Sequence, residues 1–378
     1  MQHYHYIFTG SGLSALMTVY EMILSESFKS TSILLIDQDL KKSNDRTWCF
    51  WDMSTVFESI VYKEWESASF SDSTSKKTLK IAPYKYKMIK GIDFYNFIFE
   101  KINTHNNIHF LNEKIINFKD DGNQCIVKTE NKNFTCDKVF NSIFNPKIIK
   151  SQTKFPLLQQ HFIGWHIKSK ESVFNENIAT FMDFSVNQKG NTRFMYVLPT
   201  SKNEALIEYT LFSKDLLDRE EYENEIKEYI KKIGITEFEI IEKEKGNIPM
   251  TCYEFWKNNS KNIIHIGSAG GWTKASTGFT FKNVTKKSKQ LVQFILAEND
   301  FRTFHKKNKF WFYDLLFIDI LYIRNELGAT LFSSLFKKGN PILIFKFLDE
   351  ETTYFEDFKV IMKCPKAPFI KALFNRLL

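Results

Sequence analysis

Tyr4-His5-Tyr6-Ile7-Phe8-Thr9-Gly10-Ser11-Gly12-Leu13-Ser14-Ala15 is the stretch on which the reading of this chain turns. Tyr4 to Thr9 is short, aromatic and β-branched, which suits a buried strand. The run that follows suits a helix, because Leu13, Leu16, Met17, Tyr20 and Leu24 fall on one face. A second apolar strand, Ile33-Leu34-Leu35-Ile36, ends in Asp37. Strand, glycine turn, helix and strand in that order make a dinucleotide-binding unit. Gly10 permits the tight turn, Gly12 leaves the backbone open to a pyrophosphate, and Ala15 lets the helix lie close to the sheet. The helix start at Leu13 presents free N–H groups and a partial positive charge to phosphates. Asp37 is placed to accept hydrogen bonds from a ribose diol, and its charge disfavours a ribose carrying a 2′-phosphate.

A chain of 378 residues can bury a sizeable core and is expected to form two domains or subdomains. Hydrophobic residues at 43% and charged residues at 25% are ordinary for a globular protein, but 38 phenylalanines are not. Codon bias accounts for some of that excess; a large apolar cavity or surface would account for the rest. The formal net charge of +8 is mild and compatible with anionic membrane surfaces or phosphates. Basic residues form no nucleic-acid-like tract, so no nucleic-acid partner is expected. The five cysteines are scattered and lack a Cys-x-x-Cys pair, which suggests a reducing compartment, no structural disulfide and no metal site. The first strand starts at the N-terminus, leaving no room for a signal peptide. Phe310 to Ile323 is the most apolar run, but Asp314 and Asp319 break it and it is shorter than the ~20 residues of a spanning helix.

Asp45-Arg46-Thr47-Trp48-Cys49-Phe50-Trp51 is too aromatic for an idle loop. Either it plugs the core, or Arg46 and the tryptophans lie along a cofactor or apolar ligand. Residues 60–70 and 79–89 read as strands, Gly91 to Asn103 as a helix, and Ile108 onward as strand and hairpins. Gln160 to Lys168 alternates, with Phe162, Gly164, His166 and Lys168 on one face and Ile163, Trp165 and Ile167 on the other. Three further strands, Ala179 to Phe184, Arg193 to Leu198 and Ala205 to Thr210, predict an antiparallel sheet. Asp218 to Lys232 reads as a charged helix. A second strand–glycine loop–helix follows: Asn262 to Gly267, then Ser268-Ala269-Gly270-Gly271-Trp272 and Thr277-Gly278-Phe279, then a helix from about Asn283. Taken alone, that loop is a tight turn in a sheet. Paired with the first, it can reach the ribityl chain and flavin ring while the first grips the pyrophosphate, so flavin adenine dinucleotide is the better reading.

These segments together resemble the lycopene cyclase family, in particular the bacterial lycopene β-cyclase type of flavoprotein. Gly10 to Ala15 resembles the family's flavin motif, and Asp45 to Phe50 its Thr-Trp-Cys-Phe signature. Phe194 to Pro199 with Leu206-Ile207-Glu208-Tyr209-Thr210 resembles the strand pair that carries its essential glutamate. Gly267 to Gly271 with Ser276-Thr277-Gly278-Phe279 resembles the second flavin loop, and Phe347 to Thr352 with Pro368-Phe369-Ile370 the C-terminal segment. Ser268 departs from the aspartate that many related flavoproteins carry there, which weakens the expected ribityl or phosphate contact. The resemblance implies an α/β fold: a glutathione-reductase-like FAD-binding (Rossmann-like) domain with an inserted antiparallel β-sheet substrate domain and a helical C-terminal region. The expected divisions are 1–150 and 248–300 for FAD, 151–247 for substrate and 301–378 for the helices.

The implied reaction is cyclisation of the acyclic ends of lycopene to β-ionone rings, without net oxidation. An acid protonates the terminal double bond, the cation closes on a neighbouring double bond, and a proton leaves the ring. Similar enzymes use reduced FAD, whose electron-rich ring stabilises positive charge, with NAD(P)H as reductant. A glutamate ionises near ~4.3 in water. Protonating an alkene therefore needs burial, which raises a carboxyl by up to ~3–5 pH units. Glu208 sits on a strand otherwise built for burial. By residue type it is a core glutamate paired with a base such as Arg193; by resemblance it is the acid. Asp183, among aromatics on a nearby strand, either relays the proton or is structurally paired. Asp349-Glu350-Glu351 reads as a structural helix end.

The resemblance thus assigns Glu208 and Asp183 to catalysis. It assigns Gly10, Gly12, Leu13, Ala15, Asp37, Arg46, Gly267, Ser268, Gly270, Gly271, Thr277 and Gly278 to the cofactor. Trp48, Trp51, Trp165, Trp272 and Phe279 either line the cation's cavity or pack the core. Lys306, Lys307 and Lys309 beside Phe310-Trp311-Phe312, and Lys337-Lys338 beside Phe332 and Phe336, suggest a face that rests on an anionic membrane. A cytoplasmic, peripherally membrane-associated protein is expected. Two alternatives stand beside the cyclase: a flavin monooxygenase or reductase acting on a lipid, and a non-catalytic carotenoid or lipid carrier. Product mass separates the first from a cyclase, and unchanged pigment would mark the second.

Overall fold

Ile7, Phe8 and Thr9 are buried because the first strand runs through the middle of a sheet. The computed structural model describes residues 1–377. It opens with β1 (Gln2–Thr9), α1 (Leu13–Leu24), β2 (Ile33–Asp37) and β3 (Thr47–Asp52). Four short strands follow, β4 (Lys63–Trp65), β5 (Ser67–Ser71), β6 (Lys76–Lys80) and β7 (Lys85–Lys90), then α2 (Gly91–Ile102). Next come β8 (Ile108–Asn112), β9 (Ile115–Asp120), β10 (Cys125–Thr129), β11 (Asn133–Asn141) and the short α3 (Pro146–Lys150). The first sheet has the order β8-β2-β1-β11-β10-β9. Strands β8, β2, β1 and β11 are parallel, and β9–β10 returns antiparallel. The parallel strands β1 and β2 carry continuous apolar runs because both of their faces are covered.

The chain then makes β12 (Leu158–Ser169), β13 (Ile178–Asp183), β14 (Thr192–Pro199), β15 (Glu204–Ser213), α4 (Arg219–Lys232) and β16 (Phe238–Met250). These strands build a second sheet of order β16-β12-β15-β14-β13-β5-β6, antiparallel except where β13 runs beside β5. Its two outermost strands on one side come from residues 67–80, inside the segment that otherwise serves the first sheet. Alternation sorts the side chains of β15. Ala205, Ile207, Tyr209 and Leu211 pack on α4 through Tyr222, Ile226, Tyr229 and Ile230. Leu206, Glu208, Thr210 and Phe212 face the other way. A small third sheet, β3-β7-β4, bridges the two large ones.

β17 (Ile263–His265) returns to the first sheet alongside β11, and α5 (Phe281–Ala297) packs on α1. The chain ends in α6 (Lys309–Ile323), α7 (Gly328–Lys338), α8 (Pro341–Leu348), α9 (Tyr354–Ile361) and α10 (Lys366–Leu377). Much of the phenylalanine excess is spent where these helices meet the second sheet. Phe70 stacks on Phe336, Phe184 on Phe332, and Trp51 on Phe345 with ring centroids 4.4 Å apart. Three ion pairs fix the helices. Lys274 Nζ lies 3.0 Å from both Asp314 and Glu350, and Arg376 lies 2.6 Å from Asp319. Among the described residues no helix is long and apolar enough to cross a membrane.

The expected membrane face is not where the sequence put it. Phe310, Phe332 and Phe336 are buried, Lys307 pairs with Glu254, Lys309 with Asp357, and Lys337 with Asp72. The lysines are held in ion pairs, and Lys307 and Lys309 cover the rings of Trp311 and Phe310 instead of standing beside them on an open face. A cluster in sequence of exposed apolar side chains lies instead on the last two helices: Tyr354, Phe355 and Phe358 on α9, and Ile370 and Phe374 on α10.

Candidate active site

The two glycine loops meet at the start of α1. Gly12 caps that helix without a side-chain hydrogen bond, and its first turn carries no acidic residue, so the helix end keeps its positive character. A Cβ on Gly12 would find no protein atom within 4 Å, which leaves open space above the loop. Gly267 has φ +59°, and a Cβ there would lie 2.4 Å from Ser14 Oγ, so only glycine lets the second loop close on the first. Gly270 passes against the His265 carbonyl, and Gly271 closes the loop with φ +68°. Asp37 braces the first loop: its Oδ2 accepts from the Ser11 N–H at 2.7 Å and the Ser11 hydroxyl at 2.9 Å.

A cavity of roughly 440 Å³ runs from these loops to the second sheet. Gly12, Leu13, Arg46, Gly267, Ser268, Thr277 and Gly278 line its loop end. Gly10, Ala15, Asp37, Gly270 and Gly271 lie behind that lining and shape the loops. Gly278, at φ +73°, brings its backbone against Gln160, whose Oε1 is buried without a hydrogen-bond partner. Thr277 Oγ1 is likewise buried and unsatisfied. Two orphaned polar atoms in a cavity between glycine loops fit a bound polar group such as the ribityl chain or ring edge of a flavin.

The far end of the cavity is aromatic. Tyr86, Phe162, Phe181, Tyr196 and Phe279 line it, and the hydroxyls of Tyr86 and Tyr196 hydrogen-bond each other. Trp48 also lines the cavity, whereas Trp51 packs between Phe279 and Phe345. Trp165 faces α4, and Trp272 lies in the core beneath α5.

Glu208 lies among these rings and is only 7% exposed. It does not pair with Arg193, which instead binds Glu221 at 2.7 Å and the Tyr209 hydroxyl at 3.1 Å on the opposite face of the sheet. The strand's alternation separates them. What faces Glu208 is Glu244 of β16, across the intervening strand β12. Gly164 stands opposite Glu208 in one register and opposite Glu244 in the other. A Cβ on Gly164 would lie 2.8 Å from Glu208 Cγ and 3.1 Å from Glu244 Cγ, so the missing side chain is what lets the two carboxyls lean together. Burial, and then the charge and hydrogen bond of Glu244, push the Glu208 carboxyl well above its ordinary range. Burial also raises Glu244, while hydrogen bonds from Glu208 and Thr47 pull it back. Thr47 donates its hydroxyl to Glu244 Oε2 at 2.8 Å.

Asp183 does not join them. Its Oδ2 accepts from the Tyr229 hydroxyl at 2.9 Å and its Oδ1 from the Ser185 N–H at 2.9 Å. It ends β13 on the side of α4, because β13 breaks register before its last residue. The second carboxylate expected of Asp183 is therefore supplied at this cavity by Glu244. Asp349, Glu350 and Glu351 pair with Lys282, Lys274 and Lys286 and take no part in the cavity.

A family model described as lycopene cyclase protein matches residues 6–374. The chain belongs to the lycopene cyclase family. No curated protein matches it in sequence. Among solved structures it resembles a geranylgeranyl bacteriochlorophyll reductase-like protein of Thermoplasma acidophilum, with TM-score 0.65 and 10% identity over 99% of each chain. It resembles the flavin-dependent brominase Bmp2 with TM-score 0.61 and 12% identity over 100% of each chain. It also resembles p-nitrophenol 4-monooxygenase PnpA of Pseudomonas putida DLL-E4, with TM-score 0.60 and 10% identity over 100% of this chain and 98% of that one. At such identities these likenesses establish a shared flavoprotein fold.

In this lycopene cyclase family member, sequence reasoning missed Glu244, Thr47, Gln160 and the tyrosine pair. Ile240-Ile241-Glu242-Lys243-Glu244-Lys245 alternates charges in the manner of a solvated strand. Only the cross-strand register, with glycine between two glutamates, marks Glu244 out. Thr47 sat inside the quoted signature, but its hydroxyl had no partner to suggest its use.

Proposed function

We propose that this protein is a lycopene β-cyclase, converting the acyclic end groups of lycopene or a related carotenoid into β-ionone rings without net redox change. The observation that carries this reading is a buried Glu208, its carboxyl pushed toward the neutral form by burial, facing an aromatic cavity that begins at two glycine loops. In that cavity Glu208 gives its proton to the terminal double bond: its O–H bond breaks and a C–H bond forms. The resulting cation is attacked by a neighbouring double bond and the ring closes. A ring C–H then breaks, its electron pair forms the ring alkene, and the proton returns to a carboxyl oxygen. Tyr86, Tyr196, Phe162, Phe181 and Phe279 present π faces to the cation and keep water from it.

FAD fits the loop end of the cavity. Gly12 and Leu13 would hold the pyrophosphate, with Gly10 and Ala15 shaping the loop behind them; Asp37, which braces that loop through Ser11, would lie toward the ribose; and Arg46, Gly267, Ser268, Thr277 and Gly278 would hold the flavin end on a turn shaped by Gly270 and Gly271. FAD supplies, in its reduced form, negative charge that stabilises a neighbouring cation, and NAD(P)H keeps it reduced. The substrate is lipid-dissolved, so the protein works at the cytoplasmic face of a membrane. The exposed aromatics of α9 and α10 support that role, as do Lys359, Lys363, Lys366 and Lys371, with no acidic residue from 358 to 377. The segments 1–150 and 248–300 act as the FAD-binding part, 151–247 as the substrate part and 301–378 as the membrane-facing cover.

Expression in a lycopene-accumulating host, followed by chromatography of its pigments, tests the reading. Ring-closed carotenoid of unchanged mass is expected. Oxygenated or reduced pigment would favour the oxidoreductase chemistry of the fold's other members, and unchanged lycopene would reject catalysis.

A further inference from the structure

We propose that Glu244 is a positioning residue for the acid: it shares one proton with Glu208 across Gly164 and, as the ionised partner, keeps that proton on Glu208. This rests on the cyclase reading above and names a residue that the reading does not require. The two carboxyls meet because β12 has no side chain between them. Their hydrogen bonding is unequal. Glu244 accepts the Thr47 hydroxyl, whereas no side chain other than Glu244 bonds Glu208. The ionised form is therefore favoured on Glu244 and the protonated form on Glu208. Like charges this close cannot both ionise, so the pair holds a proton at pH values where a lone glutamate would have lost it. During a turnover the pair lends its proton to the alkene and takes one back from the ring, and it ends with the count it began with.

The surroundings agree with one shared charge. Glu242 opposes the ionised Glu244 from its own strand, and Arg46 favours it by less, so it is the Glu208 and Thr47 hydrogen bonds that draw the charge to Glu244. Cys49, Tyr86 and Tyr196 face the pair from β3, β7 and β14; burial pushes all three up, so they stay neutral. On the side away from the hydrocarbon, Glu244 also borders a crevice of about 20 Å³ with Lys90 and His166. His166 Nε2 is buried there without a partner, and burial lowers its pKa. That volume holds about one water, enough to let the pair exchange its proton with solvent without wetting the cavity.

The test is the pH profile of cyclisation by the flavin-loaded protein. The alkaline limb of the wild type reports loss of the shared proton. Glu244→Gln removes the charge that retains it, so the limb is expected to move down by about one pH unit or more, with the acid-side plateau retained. Glu244→Asp should bring it part of the way back. A limb left in place by Glu244→Gln would overturn the proposal. Gly164→Ala, which wedges a methyl between the carboxyls, should shift the limb in the same direction if Glu244→Gln fails to fold. Infrared titration of the carboxylic C=O band separates this inference from the cyclase reading. A band that persists above neutral pH, vanishes in Glu208→Gln and titrates lower in Glu244→Gln supports the shared proton even if no carotenoid is cyclised. A band unmoved in Glu244→Gln refutes it even if cyclisation is seen.

Discussion

At Gly12 a Cβ would meet no protein atom within 4 Å, whereas at Gly164 it would press on two glutamate side chains. Both glycines serve the same cavity by leaving something out. Gly12 leaves room for a ligand, in a loop whose residue order follows from the shape of a pyrophosphate. Gly164 leaves room for the protein's own carboxyls, in a strand whose residue order follows from nothing but its neighbours. The first is held by helix geometry, with no acidic side chain in the first turn of the helix. The second confines two acids that solvent would rather ionise, at a standing cost to the fold.

The sharpest way to break this comparison is to remove the acid. Glu208→Gln is expected to retain flavin but lower cyclisation by roughly 10³-fold, within the range of lost general-acid catalysis, as read by product chromatography. Gly12→Val strikes the other centre. It should fold, since the space beside Gly12 is free, yet weaken FAD by about 100-fold or more, which absorbance of the purified protein would show. The proposed membrane face is independent of both. Phe355→Ser with Phe358→Ser should reduce flotation with anionic vesicles by roughly tenfold while leaving flavin content alone.

Smaller effects sharpen the contrast in stability. Glu208 ionises near ~4.3 in the unfolded chain but well above that when folded. The folded state therefore keeps a proton that the unfolded state has lost. Stability is undiminished below the unfolded value and falls as pH rises from there toward the raised folded value. Glu208→Gln abolishes that fall and should be more stable than wild type at neutral pH, by about 1.4 kcal/mol per pH unit separating the two values. Asp183→Asn, by contrast, disturbs only the Tyr229 and Ser185 hydrogen bonds. It should cost about 1 kcal/mol of stability in a denaturant titration and change cyclisation by less than about twofold.

The contrast also explains what the amino-acid order made legible. Gly10 to Ala15, the helix behind them and the strand ending in Asp37 follow from local periodicity, and the parallel sheet repeats that reading strand for strand. Glu208 was visible as a charge inside an apolar strand. Its partner was not, because Arg193 is its near neighbour in sequence while Glu244 is its neighbour only through two antiparallel registers. Asp183 looked equivalent to Glu208 by composition, and a slip in register placed it against α4. The aromatics expected to form an open face, Phe310, Phe332 and Phe336, are buried, because aromatic content alone does not say which side of a helix the core occupies.

Cyclisation in D2O by reduced, flavin-loaded protein tests the central claim most directly, because the proton that starts ring closure comes from a carboxyl in exchange with solvent. Mass spectrometry of the wild-type product is expected to show one deuterium for each ring formed. Flavin-loaded Glu208→Gln should form ring and labelled product at roughly a thousandth of the wild-type rate. Ring closure without label, or labelled product at the wild-type rate from Glu208→Gln, would contradict the assignment of Glu208 as the acid.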